Sequence, residues 1–203
     1  ASDVYKRQAK VAEFDRFWEY NSFKLSVLLP ENTELAKVIM KVLILRRYKY
    51  TLSTKSPAKD MVISFVTEDQ KLHHYYNDEL KGVCEAIFWA RDLANTPANL
   101  LYPKSYMEKI KEKFKDIEGV SVKVLDKNEI LKERMGALYG VAQGSHHEPY
   151  VVVLEYNNSD NKDEKPIALA GKGVCFDTGG ISLKPANRMW EMIHDMHGSA
   201  SVV

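Results

Sequence analysis

The sequence predicts an α/β protein, because segments with strand periodicity alternate with segments of helical periodicity along the chain. The clearest helical signal lies between residues 68 and 93, where an apolar stripe recurs at helical spacing. Its members are Leu80, Val83, Cys84, Ile87 and Phe88. From Pro103 onward, strands and helices alternate, which favours a layered α/β arrangement with a mainly parallel sheet.

The composition is that of an ordinary globular protein. The 203 residues allow one domain or two small ones, and 45% of them are hydrophobic and 28% charged. A net charge of +1 gives no electrostatic argument for a nucleic-acid or membrane partner. No apolar run approaches the roughly 18 residues that span a bilayer. Cys84 and Cys175 each lie in apolar sequence, which predicts buried free thiols in a reducing compartment.

The first 67 residues are expected to form part of an α/β domain. Residues 1–20 mix aromatic and charged side chains and predict no element. Thr33 is the expected cap of a helix whose apolar residues follow at helical spacing. The predicted elements are strands at 23–29, 48–54 and 61–66 and a helix from Thr33 to about Arg47.

A long helix over residues 68–94 is expected to connect this domain to a second one. It should stop before Pro97, because the residue before a proline disfavours helical geometry. His73 and His74 lie within it, but adjacent residues diverge by about 100° on a helix. We therefore interpret them as an exposed pair rather than as metal ligands.

Residues 95–166 continue the alternation of elements. Pro103 suits the first turn of a helix, and a strand of alternating valines follows at 120–124. Asp126 can cap a short helix that runs through Arg134. The remaining predicted features are a flexible, glycine-rich turn segment at 135–145, a loop containing His146 and His147, and a buried strand at 150–154.

The stretch from Ile167 to Ser199 carries the chemistry. Residues 167–170 form a short apolar run that predicts a buried strand. Glycines then flank Lys172, and glycine lets the backbone turn sharply and lets a ligand approach closely. A second apolar run ends at Asp177, followed by Thr-Gly-Gly, and open α/β sheets bind ligands at such strand ends. A further extended piece is expected at 181–184.

Two lysines and two aspartates lie between positions 172 and 195, namely Lys172, Asp177, Lys184 and Asp195. Buried charges cost several kcal/mol unless they are paired or bound to metal. The residues alone leave open a metal site, a phosphate site, and aspartates that only cap turns. A phosphate loop would need the pattern G-x-x-x-x-G-K-[ST], which the sequence lacks.

These residues resemble the two-metal core of the leucyl (cytosol) aminopeptidase family. Residues 171–184 read G-K-G-V-C-F-D-T-G-G-I-S-L-K, and Asp195 follows eleven residues later. The segments N-T-P-A-N at 95–99 and G-V-A-Q-G-S at 140–145 are also family-like. The resemblance extends from about Arg91 to Val203 and implies that residues 95–203 are the first part of a metallo-aminopeptidase catalytic domain.

The resemblance implies a role for each site residue. Lys172 would bind one metal through a neutral amine, Asp177 would contact both metals, and Asp195 would be a terminal ligand. Lys184 would be the catalytic lysine that polarises the substrate carbonyl, and Met192 would line the pocket for the first side chain. The family uses two divalent ions, Zn and/or Mn, hydrolyses peptides with bulky apolar amino-terminal residues, and is a cytoplasmic hexamer.

One departure from the family pattern affects the expected activity. The family completes its site with a later N-T-D-A-E-G-R-like segment, which these 203 residues lack. We therefore expect a fragment, truncated at both ends, that is inactive alone. His197 is interpreted as a sequence variant rather than a ligand. Two alternatives remain: an inactive truncated homologue with a structural or binding role, and an unrelated phosphate- or nucleotide-binding α/β domain.

Overall fold

The structure is a computed structural model that describes residues 22–50, 60–159 and 165–203. The chain divides into two compact units, residues 1–91 and residues 92–203. Each unit combines helices with a two-stranded sheet, which confirms the predicted α/β class. None of the described helices combines the length and apolar character that crossing a membrane requires.

The first unit contains a parallel pair of strands, β1 (Ser22–Leu28) and β2 (Asp60–Val66), with Ser22 opposite Asp60 and Leu28 opposite Val66. Helix α1 (Thr33–Arg46) connects them as a parallel crossover. The predicted cap was off by one residue, because the Asn32 side chain accepts the hydrogen bond from the Leu35 amide at 2.9 Å.

One predicted strand of this unit is not found among the described residues. The prediction of a strand at 48–54 falls largely outside the described residues, and residues 48–50 are not in a strand.

A cluster of buried side chains forms the core beneath the sheet. It consists of Leu29, Ala36, Met40, Leu72, Leu80 and Cys84.

The long helix is present from Gln70 to Asn95, in three parts. Helix α2 (Gln70–His74) leads into a π-helical turn (Tyr75–Leu80) and then into α3 (Lys81–Asn95). It ends before Pro97, as predicted, and His73 and His74 are exposed, as predicted.

The apolar stripe of this helix is narrower than the sequence indicates. Leu80 and Cys84 are buried four residues apart, whereas Val83 is exposed. One residue of helix rotates the side chain by about 100°, which turns Val83 away from the face that Cys84 buries. Both cysteines are free thiols, as predicted, but only Cys84 is buried as expected, and Cys175 is partly exposed.

The second unit contains helix α4 (Pro103–Phe114) and an antiparallel pair, β3 (Val120–Leu125) and β4 (Val151–Tyr156). The mainly parallel sheet was expected from Pro103 onward, whereas the two described strands of this unit are antiparallel and the parallel pair is β1 and β2. Leu125 lies opposite Val151, so the chain re-enters the sheet at the end where it left. The linking helices have only six and seven residues, and neither spans the length of a strand.

Those two helices are α5 (Lys127–Lys132) and α6 (Gly136–Ala142). Asp126 caps α5 as predicted, because its carboxylate accepts hydrogen bonds from the amides of Asn128 and Glu129. The helix ends before Arg134, whose φ of 56° is left-handed. The prediction of a flexible turn segment at 135–145 was wrong over α6, since an interior glycine costs only about 1 kcal/mol relative to alanine.

The strands expected at 167–170 and after Lys172 are absent. Residues 165–176 are in no strand, and Ile167 and Leu169 are 91% and 72% exposed. Residues 181–184, expected to be extended, are in no strand, and Ile181 and Ser182 lie in a turn and a bend instead. A strand requires a neighbouring strand to satisfy its backbone groups, and among the described residues no strand pairs with this segment.

Ile130 and Leu131 provide a matched test of the core of the second unit. Ile130 is fully buried at 0% exposure, whereas its neighbour Leu131 is 45% exposed. We expect Ile130→Ala to lower the free energy of unfolding by about 2–5 kcal/mol, because it removes buried methyl groups and leaves a cavity. Leu131→Ala should cost less than about 1 kcal/mol. Urea denaturation followed by circular dichroism measures both, and equal losses would contradict this packing.

Candidate metal centre

The four charged residues identified in the sequence form two ion pairs in the second unit. The Lys172 Nζ donates to Asp195 Oδ1 at 2.7 Å, across 23 residues of chain. The Lys184 Nζ donates to Asp177 Oδ2. Each pair joins one lysine and one aspartate of the sequence motif.

A turn through Gly179 and Gly180 brings Lys184 back to Asp177. Both glycines have a positive φ, of 93° and 75°, which side-chain-bearing residues rarely adopt. The Lys184 amide donates to the Thr178 carbonyl at 2.9 Å and closes the turn. The double glycine thus provides the local geometry that puts Lys184 beside the Asp177 carboxylate.

Three groups surround the Lys184 ammonium. Besides the Asp177 carboxylate, its Nζ lies 3.4 Å from the Asp177 carbonyl oxygen and 3.3 Å from the Met192 Sδ. Met192 belongs to a 3₁₀-helical segment, Met189–His194. The structure therefore places Lys184 next to the methionine that the sequence assigned to a substrate pocket.

The electrostatics of Asp177 connect the two pairs. The hydrogen bond from Lys184 holds the pKa of Asp177 below its ordinary value, and the amide of Gly179, 2.8 Å from Oδ1, lowers that pKa further. The positive charge of Lys172 also lowers the pKa of Asp177. The carboxylate is therefore ionised at neutral pH, as a metal ligand must be.

Asp195 has the carboxylate oxygen best suited to receive a cation. Its side chain is only 19% exposed, and Lys172 satisfies Oδ1. The other oxygen, Oδ2, is buried and has no hydrogen-bond partner within the described part of the chain. A buried carboxylate oxygen without a partner is costly, and a bound cation would remove that cost.

The donor set fits a divalent ion. Two carboxylates and a lysine amine can supply oxygen and nitrogen ligands of the kind that Mn and Zn accept. Across the described ranges, no group of three or more His, Cys, Asp or Glu side chains is arranged to hold a metal. The described residues thus provide two carboxylates and the Lys172 amine, which is part of a coordination sphere.

A close backbone contact holds Lys172 near Asp195. Helix α7 (His197–Val202) begins just after Asp195, and the Ser199 amide donates to the Lys172 carbonyl at 3.0 Å. A Cβ added at Gly171 would lie 2.5 Å from the Ser199 Cα, so only glycine permits this approach. The sequence suggested that this glycine permits a sharp turn or the approach of a ligand, whereas in the structure it permits the close approach of helix α7.

His194, the residue before Asp195, is held by a hydrogen bond and by a ring contact. Its Nδ1 donates to the Ala94 carbonyl at 2.9 Å, because a carbonyl oxygen can only accept. The ring of His197 stacks on that of His194, with centroids 4.8 Å apart. Sequence reasoning missed these contacts, and it also missed the Ser199 contact, because they join residues that are distant in the chain or carry no motif.

A protein-family model matches the part of the chain that contains these four charged residues. The model of the cytosol aminopeptidase family, catalytic domain, matches residues 88–203, which is more than half of the chain. The chain belongs to this family. That membership decides against the alternative of an unrelated phosphate- or nucleotide-binding domain.

Curated relatives agree with this family. A probable cytosol aminopeptidase of Wolbachia pipientis wMel is 42% identical over 165 residues, which cover 78% of this chain and 33% of the relative. A probable cytosol aminopeptidase of Ehrlichia ruminantium (strain Welgevonden) is 46% identical over 143 residues, covering 70% of this chain and 28% of that protein. The chain therefore spans about a third of the length of these relatives.

Solved structures agree in fold. The bottromycin maturation enzyme BotP in complex with Mn is 27% identical with a TM-score of 0.77, and the match covers 98% of this chain and 42% of that one. The cytosol aminopeptidase of Coxiella burnetii gives a TM-score of 0.77 at 23% identity, covering 97% and 40%, which is evidence of the fold alone.

The contact at Gly171 yields a direct test. We expect Gly171→Ala to lower the free energy of unfolding by about 1–3 kcal/mol, because the added methyl group meets the backbone of Gly198 and Ser199. Gly140→Ala is the matched control, since a Cβ at that position in α6 meets nothing within 4 Å. The control should be neutral or stabilise by up to about 1 kcal/mol. Thermal unfolding measures both, and a harmless Gly171→Ala would refute the close contact.

Proposed function

We propose that this chain supplies part of the active site of a two-metal aminopeptidase, which removes amino-terminal residues from peptides. The observation that carries the proposal is the buried, unpartnered Oδ2 of Asp195, which lies in a carboxylate that Lys172 already engages. Family membership supports the reaction class. The manganese named with BotP supports a divalent metal.

The metal ligands in this proposal are Lys172, Asp177 and Asp195, and the ions are two, Zn and/or Mn. When bound, such ions polarise the peptide carbonyl and lower the pKa of a bound water. Lys172 can coordinate a cation only as a neutral amine, so loading the site releases its proton. Asp177 binds in its ionised form, which the neighbouring lysines favour.

Lys184 is the proposed catalytic residue. Its ammonium offers three donors, and the contacts with Asp177 aim it into the site. A positive donor placed beside the scissile carbonyl stabilises the negative charge that develops on that oxygen. A fixed lysine therefore lowers the barrier without having to reorient during the reaction.

Met192 supports a preference for bulky, apolar first residues. Its sulfur lies 3.3 Å from the Lys184 Nζ, so the methionine side chain lies beside the proposed catalytic group. Methionine is flexible and polarisable and can adapt to leucine-like side chains. The substrate class that fits this arrangement is peptides with an apolar amino-terminal residue.

The proposal extends to the whole protein. We expect a cytoplasmic homo-hexamer, as the family resemblance implies, and the name cytosol aminopeptidase of the relatives supports the cytoplasmic location. We also propose three segments: a partial amino-terminal α/β domain at 1–67, a connecting helix at 68–94, and the start of the catalytic domain at 95–203. The family match beginning at residue 88 supports this division.

One observation favours a second candidate. Among the described residues the proposed ligands include only two carboxylates, and no group of three or more His, Cys, Asp or Glu side chains is arranged to hold a metal. A homologue without the remaining ligands would keep the fold and serve as a structural or binding protein. Turnover of leucine-4-nitroanilide by the whole protein, supplied with Mn²⁺, separates the two candidates.

Substitutions of Lys184 and Asp177 test the role of each residue. In the whole protein, Lys184→Ala should lower kcat roughly 10²–10³-fold with metal retained, because it removes a transition-state donor. Asp177→Ala should instead reduce the Zn or Mn per subunit, measured by elemental analysis. Lys123→Ala, an exposed lysine on β3, is the control and should change neither quantity. Full metal and full rate in both site variants would refute these roles.

A further inference from the structure

A buried tyrosine of α4 contacts the helix that follows the metal centre. Tyr106 is 5% exposed, and its hydroxyl lies 3.0 Å from the Ser199 Oγ. The Ser199 hydroxyl donates its single proton to the Met196 carbonyl at 2.8 Å. The Tyr106 hydroxyl must therefore be the donor to Ser199. Burial raises the pKa of Tyr106, so the phenol keeps this proton at physiological pH.

Ser199 is connected on several sides. Its amide donates to the Lys172 carbonyl at 3.0 Å, and its side chain accepts from Tyr106. A Cβ added at Gly173 would lie 3.3 Å from the Ser199 Oγ, so this hydroxyl also lies against the glycine that follows Lys172. The residue thus joins three parts of the second unit: α4, the start of α7 and the lysine segment.

This connection bears on the proposed metal ligands. Ser199 lies four residues after Asp195 and is bonded to the backbone of Lys172. Its position therefore sets the separation of Asp195 from Lys172, two groups 23 residues apart in sequence that meet at 2.7 Å. A shift of α7 would move the unpartnered oxygen of Asp195 away from the lysine.

We propose that Tyr106 is a positioning residue for the metal centre: its hydroxyl acts through Ser199 to hold Asp195 and Lys172 at the spacing that receives a divalent cation. This inference rests on the proposed function. Groups that orient metal ligands from outside the coordination sphere typically change metal affinity 10–100-fold. The hydroxyl of Tyr106 is hydrogen-bonded to Ser199 and not to a proposed metal ligand, so the proposed effect of this hydroxyl passes through Ser199.

The test compares Mn²⁺ dissociation constants of the whole protein and its variants by calorimetric titration. Tyr106→Phe removes only the hydroxyl and should raise the dissociation constant about tenfold. Ser199→Ala should raise it at least as much, and the double variant should be no weaker than Ser199→Ala, because both substitutions break one connection. Tyr156→Phe, at a tyrosine that is 67% exposed, is the control and should bind like the wild type.

A merely structural tyrosine would give a different pattern. It would lower the thermal midpoint of the metal-free protein but leave the Mn²⁺ affinity of the folded protein unchanged. A Tyr106→Phe protein within about twofold of wild-type affinity, or additive effects in the double variant, would overturn the inference. Wild-type protein that binds no Mn²⁺ would overturn the proposed function as well, so the two failures are distinguishable.

Hydrogen exchange provides a readout that needs no metal. The Ser199 amide donates to the Lys172 carbonyl, so its exchange reports directly on this connection. In the metal-free protein, Tyr106→Phe should accelerate exchange at Ser199 and not in β3. Unchanged exchange at Ser199 would overturn the positioning role, whatever the affinities show.

Discussion

The ion pair between Lys172 and Asp195 is the constraint on which the second unit's functional geometry depends. It joins a segment that pairs with no described strand to a residue two positions before α7, across 23 residues. The pair satisfies only one oxygen of Asp195 and leaves the other buried without a partner. Lys172 therefore fixes the position of the carboxylate, and the second oxygen remains available to bind a cation.

The second pair, Lys184 with Asp177, depends on local chain geometry. The glycine turn at 179 and 180 is enough to bring its members together over seven residues. The first pair instead needs tertiary support, from the Gly171 contact, the Ser199 amide and the His194 anchor. The two pairs are coupled, because Lys172 also lowers the pKa of Asp177. Local turn geometry therefore forms one lysine–aspartate pair, tertiary contacts form the other, and the two pairs interact electrostatically.

The sequence predicted features that depend on a few neighbouring residues, but it did not predict contacts between residues that are distant in the chain. Asp126 and Pro97 predicted a helix start and a helix end, because capping and proline geometry act over a few residues. The strand expected at 167–170 failed, since a strand exists only with a partner that the run itself does not encode. The motif identified the charged residues of the site, but not the hydroxyl of Tyr106, which reaches Ser199 from 93 positions away.

An anomalous difference map of the whole protein crystallised with Mn²⁺ tests the central claim most directly. We expect a manganese peak bonded to the Asp195 Oδ2 and to the Asp177 carboxylate, with the Lys172 amine as a further ligand. Manganese bound elsewhere, with both lysine–aspartate pairs intact and Asp195 Oδ2 still without a partner, would contradict it.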